Sequence, residues 1–418
     1  MTDGEPPPAA GRRRLEWLPP GARAIGVASF FSDLGHEVPT SLLPSFLTST
    51  LGAPASALGL IEGFADAASG VAKLAGGALA DEPRRRRGVA IGGYLTTAAL
   101  SSGIGAATSA VQVGLLRAGA WSARGIRSPA RNAILADLVE PDVYGRAYGY
   151  ERALDNLGAI LGPLLAALLV GIVGVRGAMF ASIVPGILAA ISIAYAARHV
   201  RVEQRREHRR LRLQVRPVLR GRLGRLFVGM GAFEFGNVAA TLLILRATEL
   251  LTPTVGADDA ARTALLLYVG YNVAATLASV PGGHVSDRRS SLLALTIGTS
   301  AFLASYLLLA GGSTSVPLLL GAFVLAGVGI GFVETAEAAA VAAETDEAVR
   351  GSAFGLLAGL QSLGNLAASG VAGFVWTLAS PRAAFLVCAG WMAVALVAFA
   401  TSRGATATGA GLAPPTRR

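Results

Sequence analysis

The sequence holds a single cysteine, Cys388, and a single lysine, Lys73. One thiol can neither close an internal disulfide nor build a cysteine metal cluster, so both are excluded. Charge is scarce as well: 15% of residues are charged and 53% are hydrophobic. A soluble domain carries about 25% charged residues, so that class is set aside. Aromatics make up only 6% of the chain, and Gln and Asn are few inside its apolar stretches, which disfavours a sugar carrier. There is no Gly-Lys-Ser/Thr phosphate loop, no nucleophile motif and no cluster of metal ligands. An ATP-driven pump, a membrane enzyme and a metal centre therefore lack support, and no cofactor is expected. No cleavable signal peptide is visible, because the first apolar stretch is long, carries charges and is not followed by a small-residue cleavage site.

What is present is a succession of apolar stretches of 20 or more residues, each long enough to cross a ~30 Å hydrocarbon core. The mean hydropathy is +0.55. Twelve spans are read, at 24–47, 55–80, 88–108, 111–135, 146–171 and 177–197, then 224–247, 262–284, 291–311, 316–343, 351–377 and 382–402. All are expected to be helices, since an open strand in lipid leaves backbone groups unpaired. The net charge of +10 comes from arginines in alternate short gaps, which argues against a nucleic-acid face. One class of gap holds Arg12 to Arg14, Arg84 to Arg87, Arg288 with Arg289, and the link from Arg198 to Arg225. The other holds Thr48 to Pro54, Ala107 to Ala110, Gly311 to Ser315, and an acidic loop with Glu249, Asp258 and Asp259. Positive loops stay in the cytoplasm, so both termini are placed inside.

The expected organisation is an all-α, multi-pass protein of the cell membrane. Residues 1–23 form a disordered cytoplasmic segment, 24–197 a first six-helix bundle and 198–223 a basic linker. Residues 224–402 form a second bundle and 403–418 a cytoplasmic tail. The two halves repeat at one offset of 206 positions. Gly77 and Asp81 match Gly283 and Asp287, while Gly145, Gly149 and Gly158 match Gly351, Gly355 and Gly364. Two separate clusters at one offset mean a duplicated six-helix unit, the architecture secondary transporters use for alternating access.

The loop Gly77-Ala-Leu-Ala-Asp81-Glu-Pro-Arg-Arg-Arg-Arg87 resembles the signature of the major facilitator superfamily, and the resemblance extends over essentially the whole chain. It implies that Asp81 bonds across to the start of the eleventh span, near Arg350 and Gly351, as a gating latch. Physically, a carboxylate is stabilised beside a helix N-terminus, and such a bond breaks when two halves rock apart. Glu82 and Arg84 depart from the family pattern, and Gly283-His-Val-Ser-Asp287-Arg288 is a degenerate second copy. The fifth span, with Gly149, Gly158, Gly162 and Pro163, resembles the glycine-proline signature of proton-coupled drug antiporters, with Ala166-Ala167 where two glycines are usual. Close packing of small residues is the competing reading. The run Arg124-Gly-Ile-Arg127-Ser-Pro129-Ala-Arg131 resembles a subgroup of poorly characterised permeases of the family, although Ala120 and Trp121 replace its usual acidic-basic pair.

Charges inside spans are costly in lipid and face a cavity or a partner. At 100° per residue, Arg117, Arg124, Arg127 and Arg131 of span four fall within about 80°, and Glu62, Asp66 and Lys73 of span two within about 40°. Asp33 and Glu37 in span one are one turn apart, as are Glu151 and Asp155 in span five. These side chains are expected to converge on one polar network. The six acids are the candidates for proton coupling, with Lys73, Arg117, Arg124 and Arg127 as cavity bases. For Arg127 and Arg131 the competing reading is snorkelling to headgroups; for Lys73 it is simple pairing with a neighbouring acid. His36 is read as a structural histidine or a proton relay. Glu234, Asn237, Glu334 and Glu337 lie deep in the second half, whose thinner polarity suggests mainly apolar substrate contacts. The expected function is proton-coupled efflux of a small amphipathic or cationic molecule by a monomer whose partners are substrate, protons and lipid. The alternative is proton-coupled uptake of a polar or anionic solute.

Overall fold

The computed structural model describes residues 17–200 and 212–407. The rest of the expected N-terminal segment, the middle of the basic linker and the end of the tail lie outside the described residues. Within them the secondary structure is helical, without a strand. The first helices are α1 (Pro20–Ser45), α2 (Ala55–Ala80), α3 (Pro83–Gly103), α4 (Ala110–Leu138), α5 (Tyr144–Ala181) and α6 (Ile183–Arg198). After a four-residue helical turn, α7 (Val215–Val218), come α8 (Gly221–Glu234), α9 (Ala240–Val255), α10 (Ala257–Arg288) and α11 (Ser291–Gly311). The last are α12 (Val316–Glu344), α13 (Arg350–Leu378) and α14 (Pro381–Ala407).

The boundaries follow local chemistry. Pro20 and Pro83 open α1 and α3, where a missing N–H costs nothing. The hydroxyls of Ser109 and Ser290 cap α4 and α11 by accepting from the backbone of Gln112 and Leu293. Within α5 the helix breaks at Gly174, whose φ of 70° and ψ of 176° suit a residue without a Cβ. The expected fifth and sixth spans meet at this break.

Two expectations are corrected. The seventh span, expected as one helix over 224–247, is interrupted: α8 stops at Glu234 and α9 starts at Ala240. Gly236 and Asn237 in this segment favour turns over helix. The acidic loop is not a loop either. Glu249 sits within α9, and Asp258 and Asp259 occupy the first turn of α10, where carboxylates favour the helix N-terminus.

Helices α1 to α6 pack among themselves, with α1 on α5 and α6, α2 on α4, and α3 on α4 and α6. Helices α8 to α14 do the same, with α10 and α11 on α12 and α14 on α11 and α8. The two sets meet mainly through α2 against α13 and α5 against α10 and α12. Among the described residues, six helical stretches are long and apolar enough to cross a membrane. Helices α1, α2 and α4 are not among them, and these carry Asp33, Glu62, Lys73, Arg117, Arg124, Arg127 and Arg131. On the outside, Leu60, Phe64, Val71, Ile172, Leu277 and Leu378 are 63% to 76% exposed, an apolar exterior that suits lipid rather than water.

Candidate functional site

The charged side chains of the first set do meet. Arg124 of α4 lies 2.7 Å from Asp33 of α1. One turn or two away on the same helix, Arg117 reaches Glu62 of α2 at 3.1 Å and donates to the Thr40 hydroxyl at 2.9 Å. Arg131 sits 2.8 Å from Glu151 and 3.6 Å from Asp155, both on α5. Ser29 of α1 ties this pair together, accepting from Arg131 at 2.9 Å and donating to Glu151 at 2.6 Å. The four arginines on one arc of α4 are thus shared among α1, α2 and α5. Three glycines allow the approach. A Cβ on Gly158 would come 2.4 Å from the Phe30 carbonyl oxygen, one on Gly162 2.3 Å from the Glu37 Cβ, and one on Gly149 2.4 Å from the Ser279 carbonyl oxygen. Pro163, between these contacts and the lipid, is exposed.

Snorkelling by Arg127 and Arg131 is overturned, because both are at least nine-tenths buried. Arg127 stacks 3.6 Å over the Tyr94 ring and donates to the Ser32 hydroxyl at 2.6 Å, but reaches no carboxylate. Lys73 does not pair with a neighbouring acid; it donates at 2.6 Å to Ser362 of α13, in the other set. His36 packs edge-on against Trp121, with its Nδ1 buried and without a partner. Trp121 is also flanked by the guanidiniums of Arg117 and Arg124, at 5.0 and 5.5 Å from the ring centre. Two candidate acids stand apart. Asp66 is exposed, and the half-buried Glu37 carboxylate makes no hydrogen bond or ion pair among the described residues.

At one end of the molecule the two sets are pinned together twice. Asp81 accepts from the backbone N–H of Ser352 at 2.7 Å and from the Ser352 hydroxyl, at the start of α13. Gly77 makes room, since a Cβ there would lie 2.7 Å from Gly355 Cα. The second copy mirrors this. Asp287 accepts from the backbone of Gly145 at 2.5 Å and of Arg146 at 3.0 Å, and Gly283 lies against Gly145. Arg350 does not serve Asp81. It donates instead to Asp137 at 2.8 Å, and Asp137 also takes Arg86 at 2.5 Å.

Asp137, Arg86 and Arg152 escaped the reading of the sequence. Arg152 lies beside Glu151 and joins Asp155 at 3.3 Å to Glu334 of α12 at 3.6 Å, linking the two sets. Its adjacency to Glu151 was the available signal. For Arg86, the four-arginine run was visible but not which member turns inward. The second half carries buried acids of its own, at positions the sequence placed deep. Glu234 and Glu337 are 2% and 0% exposed and accept from Asn237 and Gln361 at 3.1 and 2.8 Å. No group of three or more His, Cys, Asp or Glu side chains is arranged to hold a metal ion among the described residues.

The Major Facilitator Superfamily model matches residues 25–254 and 230–418. An uncharacterized MFS-type transporter of Methanocaldococcus jannaschii is 28% identical over 365 residues, covering 87% of this chain and 89% of the relative. An uncharacterized protein of Mycobacterium tuberculosis is 30% identical over 150 residues, 36% of each chain. Among solved structures, a bacterial homologue of the iron transporter ferroportin in its outward-facing state has a TM-score of 0.73 at 13% identity, covering 92% of this chain and 99% of its own. The human organic anion transporter MFSD10 (TETRAN) has a TM-score of 0.69 at 17% identity, over 91% and 99% of the two chains. At such identities the structural likeness carries the fold alone. The chain belongs to the Major Facilitator Superfamily and is a multi-pass membrane transporter.

Proposed function

We propose that the protein is a secondary transporter that exchanges protons for a small amphipathic or cationic solute by alternating access across the cell membrane. Counting α8 and α9 as one interrupted crossing and dividing α5 from the sixth crossing at Gly174 gives twelve crossings. The alternating arginine-rich loops put both termini in the cytoplasm. The two helix sets then form the moving halves, and the Asp81 and Asp287 latches lie at the cytoplasmic end.

The observation that carries the coupling is the solitary Glu37. Four other candidate acids of its set are paired with arginines: Asp33 with Arg124, Glu62 with Arg117, and Glu151 and Asp155 with Arg131. Glu37 has no such partner, is half-buried, and stands one turn from Asp33. A carboxylate without a counter-charge in a low-dielectric cleft takes either a proton or a cationic solute, and that competition suffices for antiport. Trp121 offers the aromatic surface an amphipathic solute needs. Asp66, exposed on α2, fits an entry role better than the coupling itself.

The test is transport in proteoliposomes over a panel of compounds, with and without an imposed pH gradient. Glu37→Gln is expected to keep substrate exchange and to lose the response to the gradient. Gradient-driven transport undiminished in Glu37→Gln would move the proton site elsewhere. One observation favours a second reading, proton-coupled uptake of an anion: the Arg127 guanidinium is buried without a carboxylate. Saturable uptake of organic anions that Arg127→Gln abolishes would support it.

A further inference from the structure

We infer that the interruption between α8 and α9 is a site for one monovalent cation, a proton or a sodium ion, held between the Glu234 and Glu337 carboxylates. It lies in the other helix set from Glu37, and the inference does not depend on which solute is carried or in which direction.

A helix that breaks at membrane depth frees backbone groups, which must be satisfied by protein or line a cavity. This break is supported from two neighbouring helices. The Val238 N–H donates to the Tyr306 hydroxyl of α11 at 3.3 Å and the Ala239 N–H to the Ser369 hydroxyl of α13 at 2.9 Å. The Asn365 amide of α13 donates to the Asn237 carbonyl at 2.9 Å. Interrupted helices with freed carbonyls at their ends are a recurring way of holding small cations in membrane transporters.

Glu234 occupies the last turn of α8, the negative end of the helix dipole and the least favourable place for a carboxylate. Its Cβ lies against Gly364 of α13, where an added Cβ would come within 2.5 Å. One turn earlier on α13, Gln361 donates to Glu337 Oε2 at 2.8 Å. One stripe of α13 thus brings both acids together. The second observation is independent of their being acids: Glu337 Oε1, on a side chain with no exposure, has no hydrogen-bond partner. A fully buried oxygen left empty is costly.

The charge balance points the same way. Arg246 is held by the Leu309 carbonyl at 3.1 Å, away from the pair. The cations nearest the two acids come from the other set and are already engaged, Lys73 by Ser362 and Arg152 by Asp155 and Glu334. Besides these, the ionisable side chains around the pair are Tyr271 of α10, Tyr306 of α11, Glu334 of α12 and Cys388 of α14. None of the latter is a cation, and among the described residues neither Glu234 nor Glu337 forms an ion pair, although both face a helix C-terminus or each other. One guest cation resolves this. The Asn237 and Gln361 amides donate to the carboxylates rather than offering oxygens, and the Asn237 carbonyl is taken by Asn365. The carboxylate oxygens therefore fall short of the six to eight that calcium takes, which favours a monovalent ion.

The experiment is thermal unfolding of the full chain in detergent at constant ionic strength, with sodium chloride exchanged for choline chloride, across about pH 5 to 9. If the guest is sodium, the wild-type midpoint rises by several degrees in sodium over choline, and Glu337→Gln abolishes the rise. If it is a proton, sodium and choline are equivalent. The wild-type midpoint then falls as pH rises and strips the proton, and Glu337→Gln flattens that fall. Asn237→Ala keeps both carboxylates and reads the same site should Glu337→Gln not fold. It is expected to raise the half-effective sodium concentration about tenfold, or to displace the pH midpoint. Sodium and pH responses in Glu337→Gln, or failing its folding in Asn237→Ala, that match the wild type would overturn the proposal.

Discussion

Arg131 and Glu151 are the pair in which a single side chain has the largest expected effect. Their side chains are 9% and 1% exposed and 2.8 Å apart. Removing one member of a buried pair leaves the other charged and desolvated, at a cost of about 3–5 kcal/mol, whereas removing both is often near neutral. Arg131→Met and Glu151→Gln are each expected to lower the unfolding midpoint sharply, and the double variant to recover most of the loss. Simple additivity in that cycle would mean that the two do not act as a pair. The convergence of α4 with α1, α2 and α5 was legible, because helical periodicity says which residues share a face. Which helix that face meets was not. Lys73 illustrates the limit: its partner Ser362 is neutral and lies in the other half of the chain. Arg127 and Arg131 misled for another reason, since position near a span end does not distinguish snorkelling outward from reaching inward.

At the scale of the element, hydropathy locates helices well and breaks poorly. The stretch 224–247 reads as one apolar run, but its interruption depends on Tyr306, Asn365 and Ser369, which lie far away in the chain. The contact of Asp81 with the start of α13 was legible because small residues at fixed spacing have a steric meaning. Gly77 permits α2 and α13 to touch backbone to backbone, as Gly283 does for α10 and α5. Gly77→Val should therefore wedge α2 from α13 at the latch end and favour a conformation open there. Spin labels on Arg84→Cys, in the first turn of α3, and Asp346→Cys, in the loop before α13, both exposed positions, report this in a Cys388→Ser background. Pulsed distance measurements should show one short distance without the valine and an added longer population with it. An unchanged distribution would mean that the glycine contact does not hold that end shut.

For the whole molecule, what matters is where the two sets are tied. The polar links between them run from the latch end, through Asp81, Asp137 and Asp287, to Arg152 with Glu334 and Lys73 with Ser362. The conformation described is therefore closed at the latch end, and any alternation must release these bonds together. Asp81 and Asp287 each hold backbone N–H groups at the start of a helix in the opposite set, so each bond favours the closed state and neither involves Glu37. A charge-assisted hydrogen bond of this kind contributes about 1.5–3 kcal/mol, which shifts a two-state equilibrium by roughly tenfold or more. Asp81→Asn should consequently slow turnover several-fold by depopulating one end state, while substrate affinity stays within a few-fold. Adding Asp287→Asn should compound the loss, since the second latch would otherwise carry the closed state. Turnover and binding measured together in proteoliposomes decide the matter. Lost binding with unchanged cycling would make Asp81 a ligand and leave the paired latches without a gating role.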